Sequence, residues 1–149
     1  MIGNIKVKEI MTADVISVHD NQNLSAVARI FRENTIHHVP VLKGKKPVGI
    51  ISTQDIFKLI FDFDSTDTRM LDTLLDHTYK IKDVMTGKLV IFDEDSSLKD
   101  AAKILSDGSL HSIMIVNAKG DLTGIVTTTD LVRFLYKNIE EQKINNVHL

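Results

Sequence analysis

The chain has 149 residues, of which 43% are hydrophobic and 26% are charged, values close to the averages for soluble globular proteins. Its formal net charge of −2 supplies no basic surface for nucleic acid, and the absence of cysteine excludes disulfides, thiolate nucleophiles and cysteine-based metal sites. Because no apolar run approaches the ~18 residues that span a membrane and the N-terminus lacks the apolar stretch of a signal peptide, we expect a cytoplasmic protein without membrane insertion.

An internal repeat organises the sequence. Val7–Thr12 (VKEIMT) returns as Ile81–Thr86 (IKDVMT), and Gly49–Asp55 (GIISTQD) returns as Gly124–Asp130 (GIVTTTD). The first pair is offset by 74 residues and the second by 75, which predicts one inserted residue near 119–121. We predict a first repeat at 7–60, an acidic connecting segment at 61–80, a second repeat at 81–135, and a helical extension and tail at 136–149.

The first repeat predicts the order β-α-β-β-α after a short lead-in at residues 7–11. The predicted elements are a strand at 15–18, a helix from Leu24, strands at 39–42 and 48–51, and a helix from Ser52. The helix from Leu24 has apolar residues at i, i+3, i+4 and i+7, which form one face. Pro40 lacks an N–H group, so we expect it at a sheet edge or at the start of its strand.

The second repeat predicts the same order of elements. They are a strand at 89–92, a helix after Ser97, strands at 113–116 and 122–126 around a turn, and a last helix from Thr128 towards Lys143. Ser97 and Asp100 resemble a capping box at the first of these helices. Residues 145–149 are expected to fray.

The connecting segment contains five aspartates between Asp62 and Lys80, yet it also has apolar residues at helical spacing, namely Met70, Leu71, Leu74 and Leu75. We interpret it as a short helix packed on the body of the protein, with the acidic residues on its solvated face. A repeat of about fifty residues buries too little apolar surface to be stable alone. We therefore expect an α+β fold in which the two repeats pack about a pseudo-twofold axis and form paired clefts.

Three motifs resemble the cystathionine-β-synthase (CBS) domain, whose tandem pair is called a Bateman module. They are the Met-Thr at the start of each repeat, Ile36–Val41 (IHHVPV), and the two copies of Gly-apolar-apolar-[Ser/Thr]-x-x-Asp. The resemblance implies that Asp55 and Asp130 bind the ribose hydroxyls of an adenosine nucleotide. It also implies that Ser52 and Thr127 contact ribose or phosphate. The expected ligand is AMP, ADP or ATP, with S-adenosylmethionine and NAD ranked behind them and no cofactor required.

Physical chemistry supports this assignment and also offers an alternative to it. A carboxylate accepts two hydrogen bonds from a vicinal diol, and a helix N-terminus attracts phosphate. However, Ser52 with Asp55 and Thr127 with Asp130 also have the spacing of a capping box, in which Asp replaces the usual Glu. Capping stabilises by ~1 kcal/mol and explains the same residues without a ligand. Both interpretations stay open.

Further candidate residues flank these motifs. The resemblance implies that His37 and His38 are candidates for binding phosphate, with affinity rising at lower pH; alternatively they are half-exposed histidines at a strand edge. Their adjacency disfavours a metal site because successive side chains of a strand point to opposite faces. The second repeat keeps His111 but has Ser112 in place of His38, so we expect the better phosphate site in the first repeat. The remaining candidates, which flank the nucleotide position or form an apolar slot for adenine, are Ile16, Val39, Pro40 and Val90.

No pattern in the sequence indicates catalysis. There is no Ser/His/Asp set with suggestive spacing, no Walker loop, no zinc signature and no G-x-S-x-G elbow. We therefore expect a protein that is not an enzyme, and the resemblance implies a stand-alone regulatory module that senses adenosine nucleotides and signals energy status to a partner protein. The resemblance further implies a homodimer, with the last helix contributing Leu135, Tyr136 and Ile139. The alternative is a ligand-free dimerisation or interaction module.

Overall fold

The computed structural model of the protein describes residues 2–147 and shows an α+β fold. In this range the chain forms two three-stranded sheets and six α-helices. By its internal contacts it divides into two compact units. The central unit is Ile16–Leu89, and the terminal unit combines the chain before Ile16 with the chain from Val90 onward.

The central unit contains β1 (Val18–His19), α1 (Leu24–Glu33), β2 (His38–Lys43), β3 (Lys46–Ser52), α2 (Thr53–Ile60), α3 (Thr68–Thr78) and α4 (Ile81–Val84). The terminal unit contains two 3₁₀ turns (Ile2–Asn4 and Val7–Glu9), followed by β4 (Ile91–Asp93), α5 (Leu98–Leu105), β5 (Ser112–Val116), β6 (Leu122–Thr127) and α6 (Thr128–Val147). Each unit therefore has the predicted β-α-β-β-α order at its centre.

The two sheets have the same topology. Their strand orders are β1-β2-β3 and β4-β5-β6, with the first pair parallel and the second pair an antiparallel hairpin. Leu42 pairs with Pro47 across one hairpin, and Val116 pairs with Leu122 across the other. Four residues separate the first pair and five the second, which confirms the single inserted residue. Gly44 and Gly120 have φ angles of 64° and 81° in these turns, a backbone conformation that glycine adopts without a steric penalty.

The short segments that begin the two repeats, residues 7–12 and 81–86, are called the lead-ins. Each lead-in pairs with the last strand of the other repeat. The backbone of Thr12 exchanges two hydrogen bonds with Ile125, at 2.9 and 3.0 Å. The backbone of Thr86 exchanges two with Ile50, at 2.9 and 3.1 Å. The motif at residues 7–12 thus belongs structurally to the terminal unit and the motif at residues 81–86 to the central unit.

The lead-ins are also fixed by burial and by charge. Val7 is part of the terminal core and Ile81 of the central core, and both are fully buried. Asp95 accepts hydrogen bonds from the ammonium groups of Lys8 and Lys6, at 3.0 and 3.1 Å. The bond from Lys8, followed by that from Lys6, holds the pKa of the Asp95 carboxyl below its ordinary range. These contacts attach the lead-in of the terminal unit to the loop between β4 and α5.

The predicted helix faces are confirmed, because the buried residues of α1 are Leu24, Val27 and Ala28. The predicted strand positions are less accurate. The first strand of each repeat was expected at 15–18 and 89–92, whereas β1 begins at Val18 and β4 at Ile91. At the other end of the chain, α6 continues to Val147, past the point where fraying was expected, and residues 148–149 lie outside the described residues.

The expectation for Pro40 was wrong, because it is the third residue of the central strand β2. β1 pairs only with Val41 and Leu42 of this strand. Pro40, which has no N–H, therefore lies just outside the segment of β2 that pairs with β1. In the terminal unit Met114 takes the equivalent position, and its N–H donates to the carbonyl oxygen of Val90 at 3.0 Å. The proline thus removes one hydrogen bond of the parallel ladder, which explains why β1 is shorter than β4.

The connecting segment forms α3 as predicted, with Leu75 buried in the central core. Four of its five aspartates are exposed, as expected for a solvated face, and Asp72 is half-buried. Asp67 caps α3 by accepting from the N–H of Met70, and Asp72 forms a two-bond ion pair with Arg32, at 2.9 and 3.1 Å. Asp76 accepts from the N–H and the hydroxyl of Ser25 in α1, at 2.7 and 2.6 Å. Three of the five aspartates therefore stabilise or anchor α3.

None of the helices between residues 2 and 147 combines the length and apolar character needed to cross a lipid bilayer.

Candidate functional site

In the central unit the first candidate site lies where β3 ends and α2 begins. The N–H of Asp55 donates to the Ser52 hydroxyl at 3.1 Å, and the N–H of Ser52 donates to Oδ2 of Asp55 at 2.8 Å. These reciprocal bonds form the capping box that the spacing predicted. Oδ1 of Asp55 has no hydrogen-bond partner among residues 2–147, so half of this carboxylate is open to a ligand.

The two histidines lie beside this helix start. His38 pairs with Ser52 across the hairpin, and the N–H of Thr53 donates to the carbonyl oxygen of His37 at 3.0 Å. The His37 side chain is exposed, while that of His38 is half-buried and engaged in an interaction within the fold. The structure thus brings four predicted site residues, His37, His38, Ser52 and Asp55, to one end of the sheet.

The apolar candidates of the central unit divide into two kinds. Val39 is fully buried in the core and Pro40 is buried too, so both support the strand from within. Ile16 is 39% exposed, and its carbonyl oxygen accepts no hydrogen bond among the described residues because Pro40 has no N–H to offer. Ile16 therefore combines an exposed apolar side chain with an available acceptor.

In the terminal unit the equivalent carboxylate, Asp130, has a different environment. It is only 5% exposed. Its Oδ2 accepts from the N–H and the hydroxyl of Thr127, at 2.8 and 3.0 Å. Its Oδ1 accepts from the hydroxyl of Thr12 at 3.0 Å and from Nη1 of Arg133 at 3.2 Å. Four donors from three residues therefore surround the Asp130 carboxylate.

Sequence reasoning missed Thr12 and Arg133 as site residues. A signal for Thr12 was present, because the Met-Thr pair is repeated, and Arg133 lies one helical turn after Asp130. The equivalent residues of the central unit are Thr86 and Lys58, and within the described residues neither donates to Asp55. Identical motifs thus have unequal surroundings.

The other candidates of the terminal unit lie on or beside β4 and β5. Ser112 pairs with Thr127 and is 7% exposed, while His111 is exposed and makes an interaction of its own. Val90 is half-buried, and its carbonyl oxygen is occupied by the Met114 N–H. The terminal unit therefore lacks both the second histidine and the free carbonyl of the central unit. Within residues 2–147, no three histidine, aspartate or glutamate side chains are grouped to hold a metal ion.

The sequence profile of the CBS domain matches this chain twice, at residues 7–62 and 81–137. The chain belongs to the CBS domain family. A relative from Methanocaldococcus jannaschii, the uncharacterized protein MJ1426, is 33% identical in an alignment that covers 87% of this chain and 90% of that protein. The chain spans less than half the length of three further relatives from the same archaeon.

Solved structures share the fold of a CBS domain pair. The CBS domain pair of protein MJ0100, in complex with 5-methylthioadenosine and S-adenosyl-L-methionine, superposes with a TM-score of 0.73. That match has 24% sequence identity and covers 90% of this chain and 98% of that one. CBSX2 in complex with AMP superposes with a TM-score of 0.72 and 24% identity, covering 89% of this chain and 96% of that one.

Proposed function

We propose that this CBS pair is a regulatory module that binds an adenosine-containing ligand. The observation that carries the proposal is the Asp55 carboxylate, which stands at the N-terminus of α2 with Oδ1 unoccupied. The solved structures of MJ0100 and CBSX2, two proteins of the same fold, are of complexes with adenosine-containing molecules, which supports this ligand class. AMP, ADP and ATP are the first candidates, followed by S-adenosylmethionine and NAD.

In this proposal the ribose and the phosphate are bound by different parts of the site. The vicinal hydroxyls of ribose donate to the free oxygen of Asp55. The phosphate meets the N-terminus of α2 and the exposed imidazole of His37. Ile16 offers apolar surface and a carbonyl acceptor to the adenine ring. Each group binds and orients the ligand without chemistry, so the role is regulatory, and the signal passes to a cytoplasmic partner protein.

A melting experiment tests this function. A ligand that binds only the folded state stabilises it by RT ln(1 + [L]/Kd), about 2.7 kcal/mol at a hundredfold excess over Kd. We expect AMP, ADP or ATP to raise the melting temperature of the wild-type chain, with S-adenosylmethionine and NADH as comparisons. Asp55→Asn should abolish most of this increase, because the amide keeps an acceptor for the cap but loses the charge that attracts the diol.

A second variant separates ligand binding from capping. Ser97 caps α5 by accepting from the N–H of Asp100 at 3.0 Å, a cap that includes none of the predicted ligand residues. Ser97→Ala should therefore lower the melting temperature of the free protein, as loss of a cap of ~1 kcal/mol does, and leave the ligand-induced increase unchanged. If no nucleotide shifts the wild-type melting temperature at millimolar concentration, the proposal fails.

A second candidate function, self-association, rests on exposed apolar helix positions. Phe57 and Phe61 of α2 are 59% and 75% exposed, and their rings lie 6.1 Å apart. Val132 and Tyr136 occupy the equivalent positions of α6 and are 64% and 62% exposed. Because both repeats expose apolar side chains at the same two positions, we propose that these helices form a homodimer interface, whether or not ligand is bound.

A further inference from the structure

We propose that Thr12 and Arg133 make the two ribose-binding positions unequal, so that the first ligand binds at Asp55 and Asp130 is held closed. This inference rests on the proposed binding of an adenosine-containing ligand. It names the residues that set the order of binding. Both repeats carry the motif Gly-apolar-apolar-[Ser/Thr]-x-x-Asp, with Ser52 in one copy and Thr127 in the other, whereas Thr12 and Arg133 lie outside it.

The inference starts from the number of hydrogen bonds that a carboxylate can accept. Two carboxylate oxygens offer about four lone-pair positions. Asp130 already accepts four bonds, two on each oxygen. Asp55 accepts one bond in the described structure, on Oδ2. A ribose diol therefore finds vacant acceptor positions at Asp55 but has to displace existing donors at Asp130.

Burial strengthens this difference. The side chain of Asp130 is 4% exposed, so its negative charge depends on the surrounding donors in place of water. Thr12 is well placed for this role because the backbone bridge to Ile125 fixes its position. The Arg133 side chain is 57% exposed, and an ion pair with so much solvent contact is weak. Thr12 is exposed too, but its backbone is fixed by the bridge, so we expect its hydroxyl to oppose ligand binding more strongly than Arg133 does.

The donors from Thr127 differ from those of Thr12 and Arg133 because they belong to the helix cap. Its N–H and hydroxyl belong to the cap of α6, and the N–H of Asp130 in turn donates to the Thr127 hydroxyl at 3.3 Å. Ser52 and Asp55 make the equivalent cap in the central unit. The hydroxyl bond from Thr127 to Oδ2 also lacks a counterpart, because within the described residues the Ser52 hydroxyl accepts from the Asp55 N–H but does not donate to the Asp55 carboxylate. Thr12 and Arg133 supply the two donors that come from outside the cap, and these two residues can be changed without altering it.

Calorimetric titration of the whole chain with AMP tests the inference. We expect one tight binding event per wild-type chain, lost in Asp55→Asn and kept in Asp130→Asn. Thr12→Val removes the hydroxyl without changing side-chain shape much, and it should raise AMP affinity at the second position about tenfold, the effect of one hydrogen bond to a charged group. Arg133→Gln should raise it by about threefold. The double variant should then show a stoichiometry of two.

The chain supplies matched controls at the equivalent positions. Thr86→Val and Lys58→Gln change the equivalent positions of the central unit, where neither residue donates a hydrogen bond to Asp55 within the described residues, so both should bind AMP as the wild type does. Thermal melts of the free variants check that each one is folded. Two equal sites in the wild type, or loss of the tight event in Asp130→Asn, would overturn the inference but leave the proposed function intact. If the wild type and the double variant bind neither AMP nor any other ligand of the melting experiment, both the inference and the proposed function are overturned.

Discussion

The motif glycines are positions where another side chain approaches the backbone too closely for a Cβ. A Cβ added at Gly49 would lie 2.8 Å from Cγ and 2.9 Å from Cβ of Met85, and closer still to its Sδ. Gly124 meets Met11 in the same way. The repeated glycine and the repeated methionine are therefore two halves of one contact, which explains why both motifs occur in each copy. Glycine is required at these two positions because a Cβ would collide with the methionine. It is not required for backbone conformation, since neither glycine has a positive φ angle.

Substitution of Gly49 tests this close contact. We expect Gly49→Ala to lower the free energy of unfolding by about 1–3 kcal/mol, the usual cost of overpacking, because Cβ of Met85 cannot rotate away. Gly124→Ala should cost less, since Cβ of Met11 lies farther away, at 3.2 Å. Gly87→Ala is the control, because its added Cβ meets nothing within 4 Å. Urea unfolding measures all three, and equal stability of the Gly49 and Gly87 variants would contradict the expectation.

Among the secondary-structure elements, helices were easier to predict than the first strand of each repeat. The faces of α1 and α5 follow a period of 3.6 residues, which local sequence shows directly. β1 depends on a non-local fact, namely that Pro40 of a different strand offers no N–H to Ile16. The β-branched run at 15–18 fits a strand by composition, but a strand requires a hydrogen-bonding neighbour, and composition does not reveal one.

Helix α3 provides a test at the scale of the elements. Leu75 is 1% exposed, and Leu75→Ala should lower the free energy of unfolding by about 2–5 kcal/mol, as removal of a buried leucine does. Met70 lies on the same helix but is 51% exposed, so Met70→Ala should change stability by no more than about 0.5 kcal/mol. If both variants unfold at the same urea concentration, α3 does not pack on the central core as described.

At the scale of the whole molecule, the duplication was readable from the sequence but the exchange of lead-ins was not. Residues 7–12 and 81–86 are so similar that either one fits either motif glycine, so the sequence contains no preference for its own repeat. The sequence predicted unequal candidate sites from His38 and its replacement by Ser112, but it did not reveal the different hydrogen bonding of the two carboxylates. This difference arises from Arg133, which lies one helical turn from Asp130, and from Thr12, which reaches Asp130 only after its lead-in has paired with β6.

The proposed homodimer is the prediction that concerns the molecule as a whole. Asp62 and Asp64 follow the exposed phenylalanines of α2, whereas Arg133 and Lys137 flank the exposed Tyr136 of α6. The opposite charges favour contact between the α2 face of one copy and the α6 face of the other. Sedimentation equilibrium should therefore show a wild-type dimer that weakens as salt is raised, because salt screens these charges.

Paired substitutions locate the interface. Phe57→Ser with Phe61→Ser, or Val132→Ser with Tyr136→Ser, should shift the chain to monomer by removing the apolar contact of one face. Ile91→Ser is the control, because Ile91 is 46% exposed on β4 and belongs to neither face. A wild-type chain that remains monomeric at about 100 μM, a concentration at which even a dimer of micromolar Kd is formed, would reject self-association. Dimers that survive both paired substitutions would instead place the interface elsewhere on the chain.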